Sequence, residues 1–374
     1  MSTMKRLIGV LLIPAVVFFA GALATSPRAT AAEETAKNWF PGHYIFLIDG
    51  TYTGLVPTGT LYQAAKSNPY VRGYFVQYDW VVLEPTKGNY DFSKVIADLN
   101  TAQRDGKKLW VMVMDRKFNA NHPLPVPQYI VNECKAMYNT LNGVPMGWKS
   151  KPYNVCFQNY MIALYQQLAS AIDDHPALAG VMTEETSVAG IEDLPDYTHQ
   201  SYLDGMVRIF AGLASAFEKG VSIQLANYAF SGGNTSEQRR ALAEEFIEKI
   251  AEKNNGGIGT PDVILAKTPM TLREPFGFMY DKYQNVAPIA PHHQWMSYDL
   301  GVDPETSLNY AVDVAHSNFV MWAHRTDTTG KYNVFDVLNE ITRQKGRINT
   351  NVPQNIRDSS GQSLPAPGEL RITN

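Results

Sequence analysis

Two glutamates, Glu184 and Glu185, end an apolar run that closes on Val181, Met182 and Thr183. Carboxyls at the end of a buried strand lose solvent and repel one another, and both effects raise one pKa toward neutrality. One group can then donate a proton near pH 7 while a second carboxylate accepts one, which is general acid–base chemistry. Successive strand side chains point to opposite faces, so only one of the two should face a site. Glu185, the last before the turn, is the first choice and Glu184 the second. Asp49 and Asp115 end two other apolar runs and rank first and second as partner carboxylate, with Asp299 and Glu274 behind them in later loops. The plain alternative for each is an ion pair or loop cap, for example Asp115 with Arg116 or Lys117.

His292, His293 and His324 are the remaining polar candidates. Neighbours on a strand diverge and no third ligand stands at a matching spacing, so no metal is expected. His293 or His324 is expected to hydrogen-bond a substrate hydroxyl or carboxylate, with Arg325 and Lys267 available for a negative charge. Asn227 is a further hydroxyl binder or a turn former. The stretch 49–54, DGTYTG, is a poor phosphate turn, and no cofactor is expected. Cys134 and Cys156, in a segment that reads as a loop, suit a disulfide better than a metal or redox site, two separate thiols being the alternative.

The elements that would position these groups alternate along the chain. Short apolar runs at 44–49, 71–78, 109–115, 179–184, 221–227, 263–268, 287–292 and 318–323 read as strands, and amphipathic stretches at 92–104, 159–173, 202–218, 236–253 and 306–315 read as helices. About eight strand–helix repeats close a (β/α)8 barrel of the TIM type, with the site at the C-terminal ends of the strands. The longest interruptions, 118–158 and 269–285, fall after the third and sixth strands and belong to that face. No linker interrupts the pattern, so one domain is expected over residues 33–350, with an irregular tail at 351–374.

From 72 to 92 the chain reads RGYFVQYDWVVLEPTKGNYDF. Trp80, Leu83-Glu84-Pro85, Gly88 and Tyr90-Asp91-Phe92 resemble the second-strand region of retaining barrel glycoside hydrolases, the β-galactosidase and cellulase-like superfamily. The run DHPALAG at 174–180, leading into VMTEET, resembles the fourth strand of the same superfamily, which ends in the acid/base glutamate. That resemblance implies cleavage of glycosidic bonds, in which one carboxyl protonates the leaving oxygen and another attacks or activates water; their separation decides between retention and inversion. The superfamily keeps its nucleophilic glutamate at the end of the seventh strand. The matching segment here, 288–295, has no carboxylate, and Gln294 is the nearest isostere. The mechanism therefore departs from the superfamily's, or the strand register does.

Under this reading a rim of aromatics, Tyr78, Trp80, Tyr228, Trp295, Tyr298 and Trp322, offers flat faces for sugar rings. A substrate-binding set follows: Tyr78, Trp80, Asn227, His293, Gln294, Trp295, Trp322 and His324. Trp80 and Trp322 have an alternative role as plugs of the barrel top. A uronate-directed lyase and a glycan-binding barrel without catalysis are the competing readings.

Bulk properties agree with an exported carbohydrate-active chain. Lys5 and Arg6 precede an apolar run ending at Ala22-Leu23-Ala24, with a second small-residue cut at Ala29-Thr30-Ala31, as in a signal peptide over residues 1–32; an uncleaved anchor is the alternative. A secreted or periplasmic protein follows, with no membrane span once the signal is cut. The net charge of −4 argues against nucleic acid, which needs a basic footprint.

Overall fold

The computed structural model describes residues 37–48, 52–141, 144–187, 190–226, 236–266, 276–293, 296–326 and 330–357. The signal segment and residues 358–374 lie outside them, as do Asp49, Asn227, Tyr228, Lys267, Glu274, Gln294 and Trp295.

Eight parallel strands close a barrel: β1 (Gly42–Phe46), β2 (Val71–Asp79), β3 (Lys108–Met114), β6 (Leu178–Thr183), β7 (Val221–Leu225), β8 (Gly257–Val263), β9 (Ile289–His293) and β10 (Phe319–Trp322). Around it run α1 (Gly59–Ser67), α2 (Trp80–Leu83), α3 (Ser93–Arg104), α4 (Val155–Ile172), α5 (His199–Ala216), α6 (Ser236–Lys253), α7 (Phe276–Tyr283), α8 (Met296–Asp299), α9 (Pro304–Asn309) and α10 (Val334–Arg343). The (β/α)8 barrel expected from the alternating pattern is the observed fold. The sixth barrel strand is displaced: it begins at Gly257, six residues ahead of the expected 263. Gly257 and Gly259 hid it, since glycine weakens the strand pattern. Their place is steric, because a β-carbon on Gly257 would lie 2.1 Å from Ile223 Cδ1 and one on Gly259 2.5 Å from Leu225 Cδ2.

Strand alternation sorts the core into two bodies. Tyr44, Phe75, Trp110, Met112, Met182, Ile223, Ala290 and Phe319 fill the barrel interior. Trp110 stands edge-on to Phe319 at 5.0 Å and to Tyr44 at 6.2 Å, an aromatic floor below the mouth. The other faces of the same strands carry Tyr74, Tyr78, Val111, Val181, Val320 and Trp322 into the layer beneath the helices.

The long excursion after β3 is structured. A π-turn, Ile130–Cys134, leads into an antiparallel hairpin of β4 (Met137–Leu141) and β5 (Val144–Ser150). Cys134 and Cys156 form the expected disulfide, with Cα atoms 5.3 Å apart, tying the foot of the hairpin to the first turn of α4. The hairpin folds back on the end of β3, where Lys117 N donates to Trp148 O at 2.7 Å. Part of the tail is ordered too: Gln354–Arg357 form a helical turn, and Asn355 Nδ2 donates to Ala251 O and Gly256 O. Among the described residues no helix is long and apolar enough to cross a membrane.

Candidate active site

Glu184 and Glu185 follow the last residue of β6, and both are buried, at 7% and 8% exposure. Met182 belongs to the interior cluster, so alternation carries Glu184 on toward the mouth. The phenol of Tyr52 agrees, being raised by burial, then by the charges of Glu184 and Asp79. The charge of Glu185 acts on Tyr202 and on Lys149 of the hairpin, and that of Glu184 also reaches Lys149 and, beneath the helices, Tyr165. Glu184 Oε2 accepts the Glu185 backbone N–H at 2.8 Å, and Gln224 Nε2 donates to Glu184 O at 3.0 Å, so neighbouring strand ends hold this corner.

The end of β3 supplies Asp115-Arg116-Lys117. Arg116 grips its neighbour's carboxylate with two hydrogen bonds, at 2.9 and 3.0 Å, and donates to the backbone oxygen of Glu185 at 2.8 Å. Ser150, from the hairpin, donates to the same Asp115 carboxylate. Asp115 is therefore a clamp joining β3, β6 and the hairpin, which is the plain alternative for it. Lys117 pairs with Asp79 at 2.5 Å, with both side chains under 5% exposed, and its Nζ sits 3.1 Å from the centre of the Tyr52 ring. Tyr52 comes from the segment after β1, which is pinned to the end of β2 where Asp79 N donates to Tyr52 O at 2.8 Å. Lys149 donates to Lys117 O at 3.0 Å and is only 3% exposed. Burial lowers its pKa to about 8, with Arg116 adding to the fall and Glu185, Glu184 and Asp115 opposing it.

Across the mouth, His292 stands edge-on to Phe46 at 5.3 Å and Phe75 at 5.4 Å, and His324 packs on Phe46 at 5.1 Å. Burial, then the neighbouring His324, lowers His292 to about 4; burial alone lowers His324. Both are neutral near pH 7 and can offer a hydroxyl one donor and one acceptor each. His293 turns the opposite way, onto Trp322 at 4.9 Å and Tyr298 at 5.1 Å beneath the helices. The histidine of the pair that reaches the mouth is therefore His292.

Four of the expected rim aromatics are elsewhere, Tyr298 among them, buried beneath the helices with its hydroxyl donating to Ala323 O at 3.2 Å. Tyr78 is wholly buried and donates to Asp98 Oδ2 at 2.7 Å. Trp322 is wholly buried, with its Nε1 donating to His43 Nδ1 at 3.1 Å. Trp80 Nε1 donates to Glu84 Oε2 at 2.8 Å, while Glu84 Oε1 takes the Gly88 N–H and the Tyr129 hydroxyl, each at 2.8 Å. Trp80, Glu84 and Gly88 of the motif thus form a buried knot that fixes the turn after β2. A tryptophan at a strand end presents the same sequence signal whether its ring meets substrate or a helix layer. Asp79, Tyr52, Lys117 and Lys149 were missed; of these only Asp79 carried a signal, sharing the interior alternation of Phe75 and Gln77. Among the described residues no group of three or more His, Cys, Asp or Glu is arranged to hold a metal.

No family model and no curated protein sequence matches the chain. Solved structures do match, through the fold. A β-galactosidase from Bacillus circulans sp. alkalophilus aligns at a TM-score of 0.52 and 10% identity, covering 83% of this chain and 56% of that one. The catalytic domain of a β-amylase from Paenibacillus polymyxa aligns at 0.56 and 7% identity, covering 83% of this chain and 100% of that one. A GH5 protein from Streptomyces cattleya, in complex with Manβ1-4GlcNAc, aligns at 0.55 and 10% identity, covering 84% and 83%. The chain spans a little over half the length of the β-galactosidases it matches. What the chain shares with these proteins is the (β/α)8 barrel fold.

Proposed function

We propose that the chain is an exported enzyme that hydrolyses glycosidic bonds of a poly- or oligosaccharide, with Glu184 as proton donor and Glu185 the second choice for that role. The observation that carries this reading is a buried glutamate continuing the interior face of β6 at the mouth of a barrel shared with named glycosidases. Low exposure and neighbouring carboxylates are the conditions that keep a carboxyl protonated near neutral pH. The base is a second carboxylate of the mouth. Asp79 is the first candidate by position, ahead of Asp115, whose oxygens Arg116 and Ser150 engage; Asp49, three residues past the end of β1 in the sequence, is the third. His292 and His324 suit hydroxyl binding. The signal-like start and the disulfide support export.

A uronate lyase is the competing reading, supported by the absence of a carboxylate at the end of β9 and by Arg116, Lys117 and Lys149 at the mouth. It needs a strong base, and the candidates are poor ones: the Tyr52 phenol is raised and His292 lowered to about 4. The test is incubation of the mature protein with neutral and uronic-acid polysaccharides, following reducing ends together with absorbance from new double bonds. Reducing ends without absorbance, lost in Glu184→Gln, support hydrolysis; absorbance would replace it with elimination. Glycan binding with no turnover would reduce the barrel to a binding module.

A further inference from the structure

The closed end of the barrel, opposite the glutamates, holds a second cluster of charge. The starts of β1, β2 and β3 and the turn after α10 enclose a pocket of about 220 Å³. Arg72, Lys107 and Lys345 line it, no carboxylate does, and Tyr70 forms part of its wall. This concentration of cations stands in a chain whose net charge is −4, so it is not a by-product of a basic surface.

Among the described residues these cations have no neutralising partner. Lys107 is 6% exposed, and its Nζ donates to Asn68 O at 2.6 Å and Val71 O at 2.7 Å. An ammonium has three donors, so one remains after those two carbonyls. The nearest acid felt by Lys107, Asp105, is engaged by Lys66 Nζ at 2.8 Å and by the hydroxyls of Tyr62 and Tyr74 at 2.5 and 3.0 Å. Among the described residues no ion pair reaches Arg72, Lys107 or Lys345; the guanidinium of Arg72 spends only its Nε, on Pro41 O at 3.3 Å. Burial, then the charge of Arg72, pulls Lys107 down to about 8, as expected where like charges share a site.

We propose that this pocket binds a compact oxyanion of the phosphate type, with Lys107 as its buried donor, Arg72 as a planar fork and Lys345 closing the rim. An anion there would relieve the repulsion between Lys107 and Arg72 and satisfy the spare Lys107 donor, and guanidinium and ammonium groups recognise phosphate in complementary ways. The free anion and a phosphorylated sugar share this chemistry. Tyr70, 37% exposed in the wall, offers a ring face to the second.

The test is calorimetric titration of the full mature chain with inorganic phosphate and, separately, glucose 6-phosphate, in chloride buffer at constant ionic strength. Saturable one-to-one binding, weakened about tenfold or more in Arg72→Gln and in Lys345→Gln, is expected. Those two exposed residues keep the test sound even if Lys107→Met fails to fold. Tighter binding of glucose 6-phosphate would assign the pocket to a phosphorylated sugar, and equal binding to the free anion. No saturable heat with either probe, or unchanged affinity in both variants, overturns the proposal. Glu184→Gln must bind as wild type does, so a failed glycosidase assay leaves this result standing.

Discussion

Replacing Glu84 by alanine separates a structural role for the Trp-Leu-Glu-Pro motif from a catalytic one. The Glu84 carboxylate is 1% exposed and accepts three hydrogen bonds, from Trp80 Nε1, Gly88 N and Tyr129 Oη. Gly88 and Tyr129 are partly solvated and can turn to water, so each loss costs about 0.5–1.5 kcal/mol. Trp80 is wholly buried against Phe157 at 5.6 Å, and its orphaned N–H carries a full desolvation penalty of about 1–3 kcal/mol. Together the change should cost about 2–6 kcal/mol, which is large against ordinary folding stabilities of about 5–15 kcal/mol. Urea unfolding followed by tryptophan fluorescence measures it. A double-mutant cycle with Trp80→Phe should return a coupling of about 1.5–3 kcal/mol, because the phenylalanine removes the donor along with its need for a partner. A loss below about 1 kcal/mol, accompanied by loss of saccharide binding, would refute the structural account and return Trp80 to the site.

Further outcomes are expected. Glu184→Gln should lower turnover by about 10²–10⁴-fold while Glu185→Gln costs less; the reverse order of effects in steady-state kinetics would restore Glu185 as the acid. Removing the Cys134–Cys156 link, whose ends are 22 residues apart, should cost about 3 kcal/mol in a Ser/Ser variant. That loss should vanish when denaturation is compared with the wild type under reducing conditions. Stability should fall as pH drops from about 6.5 toward 4. Burial holds His43 near 4 and His293 near 3 in the folded chain, whereas an unfolded histidine takes up its proton near 6.5, so over that window the unfolded state binds more protons. The contribution is fully present above pH 6.5. A denaturation midpoint independent of pH between 7.5 and 4.5, or one lost equally in a His43→Gln, His293→Gln variant, would contradict it.

The limits of the sequence show in particular residues. Strand existence was legible from local apolar runs, and seven of the eight barrel strands overlap their expected positions closely. β8 slipped because Gly257 and Gly259 are selected by the Ile223 and Leu225 side chains beside them on the neighbouring strand β7, a non-local steric demand. Alternation was legible in principle, yet the face it selects depends on register. His292 and His293 are equivalent as letters and opposite in space. Side-chain pairing was legible only between neighbours: Asp115 meets the Arg116 beside it, but also Ser150, 35 residues on, and Lys117 finds Asp79 on another strand.

By itself, the sequence determined the class of fold and the chemistry at hand, because hydrophobic period and residue type are local properties of the chain. It also favoured a disulfide between its two cysteines over separate thiols, and the structure shows that bond. Only the tertiary structure decided which histidine of the pair faces the mouth, that Trp80 and Trp322 are buried, and where cations gather. Those outcomes depend on barrel closure, which sets strand register and brings residues far apart in the chain within hydrogen-bond reach.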